Sequence, residues 1–110
     1  MELLQDELIE NVAKRIFETH ARHSYNKVMF KARYGVPIPV VVKLYKSLEW
    51  KVALLNLMLA LNYLKIYPTW AMGVQGSGFS DKTYREIIYE TILQLSQLPM
   101  VQLKIFLFQN

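Results

Sequence analysis

His20 and His23 stand three residues apart, beside Glu18 and Arg22. On a helix that spacing can offer two imidazoles to one metal ion, but a closed site needs further ligands. Spacing places no carboxylate to supply them, so the pair reads first as a polar helix end and no metal is expected. The chain has no cysteine. Disulfides, thiolate zinc sites and cysteine nucleophiles are thereby excluded. "GVQGSGFS", residues 73–80, is glycine-rich but lacks the lysine of a phosphate-binding loop and does not follow a strand. No serine, histidine and acid fall into a triad pattern, and the acids of the C-terminal half are only Asp81, Glu86 and Glu90. The expectation is a protein without a catalytic centre or a cofactor.

Binding chemistry is better represented. The formal net charge is +4 over 110 residues, and its layout is uneven. Residues 1–21 carry Glu2, Asp6, Glu7, Glu10 and Glu18 against Lys14 and Arg15. Residues 22–51 carry Arg22, Lys27, Lys31, Arg33, Lys43, Lys46 and Lys51 against Glu49 alone. That central block has the composition of a polyanion-binding surface. It could equally be a solvated basic face that balances the acidic N-terminal helix, and charge alone leaves both readings open.

Helical periodicity supplies the elements that would position these groups. Leu3, Leu4, Leu8, Val12, Ile16 and Phe17 recur at three and four residues and predict an amphipathic first helix. Ser24 is a candidate cap for a second helix that ends at Gly35, with Tyr25, Val28, Met29 and Ala32 as its apolar side. In "GVPIPVV" the prolines favour an extended turn and place Pro39 in the first turn of a third helix, about Pro39 to Ser47. Glu49 to Ile66 reads as a fourth helix, apolar on most faces and therefore central. Its most apolar run, Val52 to Leu64, contains Asn56 and Asn62 and is well short of the roughly 20 residues of a bilayer span. The acidic start "MELLQDELIE" is unlike a secretory signal. Thr69 could cap a short helix, "WAMGVQ". Gly76 and Gly78 then make a corner before Ser80, a good N-cap with Asp81 at the positive helix end. The last helix has Tyr84, Ile87, Ile88, Thr91, Ile92 and Leu95 as an apolar stripe, with Lys82, Arg85, Glu86, Tyr89, Glu90 and Gln94 away from it, and Pro99 ends it.

A short helix, a glycine corner and a longer capped helix are the parts of a helix-turn-helix. In such units the second helix enters the major groove and its N-terminal residues reach base edges. Here those are Lys82, Thr83, Arg85 and Tyr89, with Glu86 among them. The phrases "FKARYGVPIPVVVKLYKSL", "LLNLMLALNYLKIYPT" and "GFSDKTYREIIYETILQL" resemble the N-terminal region of DDE-type transposases of the Harbinger and related groups. The likeness runs from Phe30 to Leu98. It rests on Phe30, Arg33 and Gly35 of "FKARYG", on Tyr67 to Thr69 of "YPT", and on Gly78, Ser80, Lys82, Thr83 and Arg85 of a "GxSxKTxR" helix start. It implies a homeodomain-like, helical DNA-binding domain in a eukaryotic nucleus. The family's catalytic carboxylates lie in a later domain, so its transposition chemistry is not carried over. The turn "VQGSGF" is also looser in glycine than the family's turn.

The expected fold is all-α: a small helical bundle over residues 1–98 with a C-terminal helix-turn-helix, followed by an apolar tail, residues 99–110, that could form a strand. The expected function is that of a non-catalytic DNA-binding accessory subunit derived from a transposase, within a DNA-modifying or chromatin complex. Lys82, Thr83, Arg85 and Tyr89 would meet double-stranded DNA, with Lys27, Lys31, Arg33, Lys43 and Lys46 on phosphates. The alternative is a protein-interaction module with little DNA affinity. It is favoured by the acids on the reading helix, which oppose charge neutralisation, and by the tail. Val101, Leu103, Ile105, Phe106, Leu107 and Phe108 crowd into eight residues with one charge, Lys104. Such a segment is expected to lie against another subunit in a hetero-oligomer, on a sheet edge or in an apolar groove. No membrane partner is expected.

Overall fold

The computed structural model describes residues 2–66, 74 and 77–98, with side chains from residue 5 onward. Among these the fold is all-helical. Its five helices are α1 (Glu2–Ala21), α2 (Lys27–Tyr34), α3 (Ile38–Ser47), α4 (Leu54–Ile66) and α5 (Asp81–Ser96). The helix expected at "WAMGVQ", its cap Thr69 and the tail residues Val101, Leu103, Ile105, Phe106, Leu107 and Phe108 lie outside the described residues. So does the complete helix-turn-helix arrangement.

The sequence explains most boundaries. α2 stops where Gly35 takes a left-handed φ of 83° and returns its N–H to the Lys31 carbonyl at 2.8 Å. Pro37 is extended (φ −75°, ψ 165°) and caps α3, with Pro39 in the first turn. One start differs from expectation. Asn26, not Ser24, caps α2 by accepting the Met29 N–H at 3.0 Å. The chain stays out of the helix through Tyr25 because Glu18 accepts the Tyr25 N–H at 3.0 Å and the Tyr25 ring packs edge-on against Phe17.

α4 also begins later than expected. Residues 49–53 form a turn in which Glu49 and Trp50 adopt left-handed φ values of 52° and 66°. Leu48 closes α3 through the Leu44 carbonyl, and the Trp50 ring stands edge-on to Tyr45 with centroids 5.1 Å apart. Both contacts hold the corner in a conformation that costs an L-residue about 1–2 kcal/mol.

α4 is the centre. Leu54, Leu57, Met58, Leu59, Ala60 and Leu61 are all buried, and α1, α2, α3 and α5 all pack against it. Two apolar clusters meet on this helix. The larger joins α1 to α4 and reaches Leu95. The smaller holds Leu59 and Ala60 of α4 against Tyr84 and Ile88 of α5, with Val74 and Phe79 beside them. Among the described side chains of α1 the buried ones are Ile9, Ala13 and Phe17, while Leu8 and Val12 are exposed. On α2 the buried residues are Phe30 and Tyr34, while Val28, Met29 and Ala32 face solvent. The buried face is therefore displaced from the expected one by one residue on α1, from Leu8 and Val12 to Ile9 and Ala13, and by two on α2, from Val28 and Ala32 to Phe30 and Tyr34. The aromatic cluster decides it. Phe17, Phe30 and Tyr34 pack ring to ring at 4.7–6.5 Å and turn both helices toward one another.

Candidate nucleic-acid interface

The corner before α5 is built from its own side chains. Gly78 has φ +79°, and an added Cβ there would meet nothing within 4 Å, so backbone conformation is the reason for glycine. The Ser77 hydroxyl donates to the Val74 carbonyl at 2.9 Å and accepts the Phe79 N–H at 3.0 Å. Phe79 then packs into the smaller cluster. Ser80 caps the helix, accepting the Thr83 N–H at 3.3 Å and donating its hydroxyl to Thr83 Oγ1 at 3.0 Å. Asp81 sits at the positive end of the helix, 3.3 Å from Arg85 Nε.

Tyr84, Ile88, Thr91 and Leu95 are the buried face of α5, close to the stripe read from the sequence. Lys82, Arg85, Glu86, Tyr89 and Glu90 are exposed, as read. Thr83 is half-buried and engaged in the cap. Leu93, four residues after Tyr89, is exposed with it; the two stand at 55% and 62% of full accessibility, an apolar pair on the outward row. A groove of about 500 Å³ runs beside Tyr89, lined by Asn56 of α4 and by Thr83, Glu86, Ile87, Tyr89 and Glu90. Sequence reading did not place Leu93 or Asn56 here. The spacing of four from Tyr89 to Leu93 was the available signal; nothing in the sequence pairs Asn56 with α5.

The seven candidate cations fall on three helices. Lys27 and Lys31 of α2 are exposed and make no ion pair among the described residues. Arg33 turns inward. Its Nη2 donates to the His20 carbonyl at 3.4 Å, and its Nε is buried without a hydrogen-bond partner. It thus serves the last carbonyls of α1, and Asn62 of α4 donates to the Arg33 carbonyl at 3.0 Å, tying α2 to the centre. On α3, Lys46 is 3.0 Å from Asp6 of α1. Lys43 shares with Asp6, Glu10 and Lys46 a groove of about 390 Å³ between α1 and α3. The acidic first helix therefore faces part of the basic block. Lys82 is exposed on α5, and Arg85 is held by Asp81. α2 and α5 each pack chiefly on α4 rather than on one another, and with Arg33 turned inward the seven do not all stand on one exposed patch.

The two histidines have separate partners. His20 Nδ1 lies 3.3 Å from the Tyr34 hydroxyl, and His23 Nδ1 lies 2.7 Å from the Ser24 carbonyl. Burial, with the Arg33 charge adding to it, lowers the His20 pKa. Burial pushes the Tyr34 hydroxyl up to about 12, against the opposing charge and hydrogen bond of Arg33. Among the described residues no three His, Asp or Glu side chains are grouped to hold a metal, and no helix there is long and apolar enough to cross a membrane. None of the protein families, curated proteins or solved structures compared with the chain matches it.

Proposed function

We propose that the chain is a non-catalytic DNA-binding accessory subunit, derived from a Harbinger-like transposase and acting in the nucleus. α5 is its reading helix. The observation that carries this reading is the capped start of α5, where Lys82, Arg85 and Tyr89 point outward from a helix held on α4 by the opposite face. Lysine and arginine at the N-terminal end of such a helix suit guanine edges and phosphates. Lys27 and Lys31 add phosphate contacts from α2. Arg85 is held by Asp81 and meets DNA only where that pair opens. Binding is mainly electrostatic and weakly selective, because Glu86 and Glu90 share the outward face.

The test is fluorescence anisotropy with a labelled duplex of mixed sequence. Lys82→Ala should weaken binding severalfold and lower the salt dependence. Absence of any shift with duplex at low salt would reject the reading.

A second reading has its own support. Tyr89 and Leu93, an exposed apolar row beside Glu86 and Glu90, with Tyr89 on the wall of the 500 Å³ groove, make a surface better suited to protein than to phosphate. On that reading the chain is a scaffold module of a hetero-oligomer. Tyr89→Ala would then abolish partner binding and leave any residual DNA affinity unchanged.

A further inference from the structure

Two exposed helix faces of this chain are chemical complements. On α5, Glu86 and Glu90 form an acidic row beside the apolar row of Tyr89 and Leu93. On α2, Lys27 and Lys31 form a basic row beside the apolar row of Val28 and Ala32, with Val28 at 77% of full accessibility. All four rows have the same spacing, four residues, or one helical turn. Neither the two acids nor the two lysines have an ion pair among the described residues. We propose that the α5 face docks the α2 face of a second copy of this chain.

The order of the rows sets the orientation. At about 100° per residue, the acidic row follows the apolar row around α5, and the lysine row precedes the apolar row around α2. Facing helices bring such opposite flanks together when they run parallel, as in the flanking pairs of parallel coiled coils. Val28 and Ala32 then lie on Tyr89 and Leu93, and each lysine meets a carboxylate. The groove beside Tyr89, with Glu86 and Glu90 on its wall, receives the edge of the incoming helix.

The contact is heterologous: each copy offers one α2 face and one α5 face. Such contacts build head-to-tail chains unless the rotation closes a ring. The interface is two turns of helix on each side, below the about 1,200–2,000 Å² of a standard interface, so the association is weak and salt-sensitive. It hides Lys27 and Lys31, and so excludes a phosphate contact by the same lysines.

Sedimentation velocity of the full chain, without DNA, over a wide concentration range tests this. The expected result is concentration-dependent growth past the dimer. Lys27→Glu with Lys31→Glu removes one face; Tyr89→Ala with Leu93→Ala removes the other. All four positions are exposed, so circular dichroism should show helix content unchanged in both variants. Each alone should associate at least about tenfold more weakly. Mixed in equal amounts they retain one intact pair of faces and should form a complex that stops at two chains. A wild-type monomer at every concentration would overturn the proposal. So would association that both double variants preserve, which would assign it to some other surface. Because no DNA is present, the outcome is independent of the DNA-binding reading.

Discussion

Arg33 illustrates how one residue type serves two chemistries. In the sequence it belongs to a basic block and to the "FKARYG" phrase, and a phosphate contact is the natural reading. In the structure its guanidinium reaches the His20 carbonyl and its Nε is buried. Phe30 is fully buried beside it, and Gly35 supplies the left-handed stop. All three marked residues of the phrase thus work in folding. Arg33→Ala should cost about 1–3 kcal/mol in urea denaturation, as for a lost hydrogen bond from a charged donor. Unchanged stability with a lower DNA affinity would restore the phosphate role. His20 adds a pH dependence. Its folded-state pKa lies below the ordinary 6.5, so the unfolded chain binds the proton more readily. Stability is then complete above about pH 6.5 and falls as the pH drops from there toward the folded-state pKa. Thermal melts between pH 7 and pH 5 should show this fall, and His20→Gln should flatten it.

At the scale of elements, much of the fold is readable and the exceptions have causes. α5 and its Ser80 cap, the Gly35 stop and the proline start of α3 follow from local chemistry that any tertiary context must respect. α1 and α2 each carry two competing apolar stripes, one residue apart on α1 and two on α2. Leu8 and Val12 compete with Ile9 and Ala13, and Val28 and Ala32 compete with Phe30 and Tyr34. Local periodicity ranks the stripes equally. The choice depends on rings from different helices meeting at Phe17, which no local window contains. The start of α4 is missed for a similar reason. Glu49 to Val52 can continue a helix, but Trp50 gains a partner in Tyr45 only if the chain turns. The candidate site was half legible: the outward residues of α5 follow from its stripe, whereas the loss of Lys46 to Asp6 depends on a contact across 40 residues. Within α4 the burial gradient gives a direct comparison. Leu57 is fully buried and Leu55 is half-buried. Leu57→Ala should cost about 2–5 kcal/mol and Leu55→Ala clearly less. Equal losses in chemical denaturation would place the core elsewhere.

For the whole molecule, the distribution of charge limits how DNA can be held. The sequence offers seven cations: Lys27, Lys31, Arg33, Lys43, Lys46, Lys82 and Arg85. If all seven met phosphates, log affinity against log salt would have a slope of about −6.3 at 0.9 per contact. With Arg33 turned inward and Lys46 and Arg85 facing carboxylates, four remain, Lys27, Lys31, Lys43 and Lys82. The expected slope is about −3.6 or shallower. A titration of duplex binding across salt distinguishes these values. A slope near the steeper one would mean that the two ion pairs open on DNA and that Arg33 swings out.

The meeting of two apolar clusters on α4 also sets an order of opening. α5 packs chiefly on α4, through Tyr84 and Ile88 at one end and Leu95 at the other. Its release would leave the contacts among α1, α2, α3 and α4 in place. Partial openings of this kind give neighbouring segments different amide protection. In native-state hydrogen exchange the α5 amides should exchange through a cheaper opening than those of α4, whose protection should track global unfolding. A common opening energy for both helices would mean that the two clusters melt as one. If α5 is the first helix to leave, anything gripping its outer face, nucleic acid or protein, must also hold it on the bundle, and ligand binding would be read first as slowed exchange along α5.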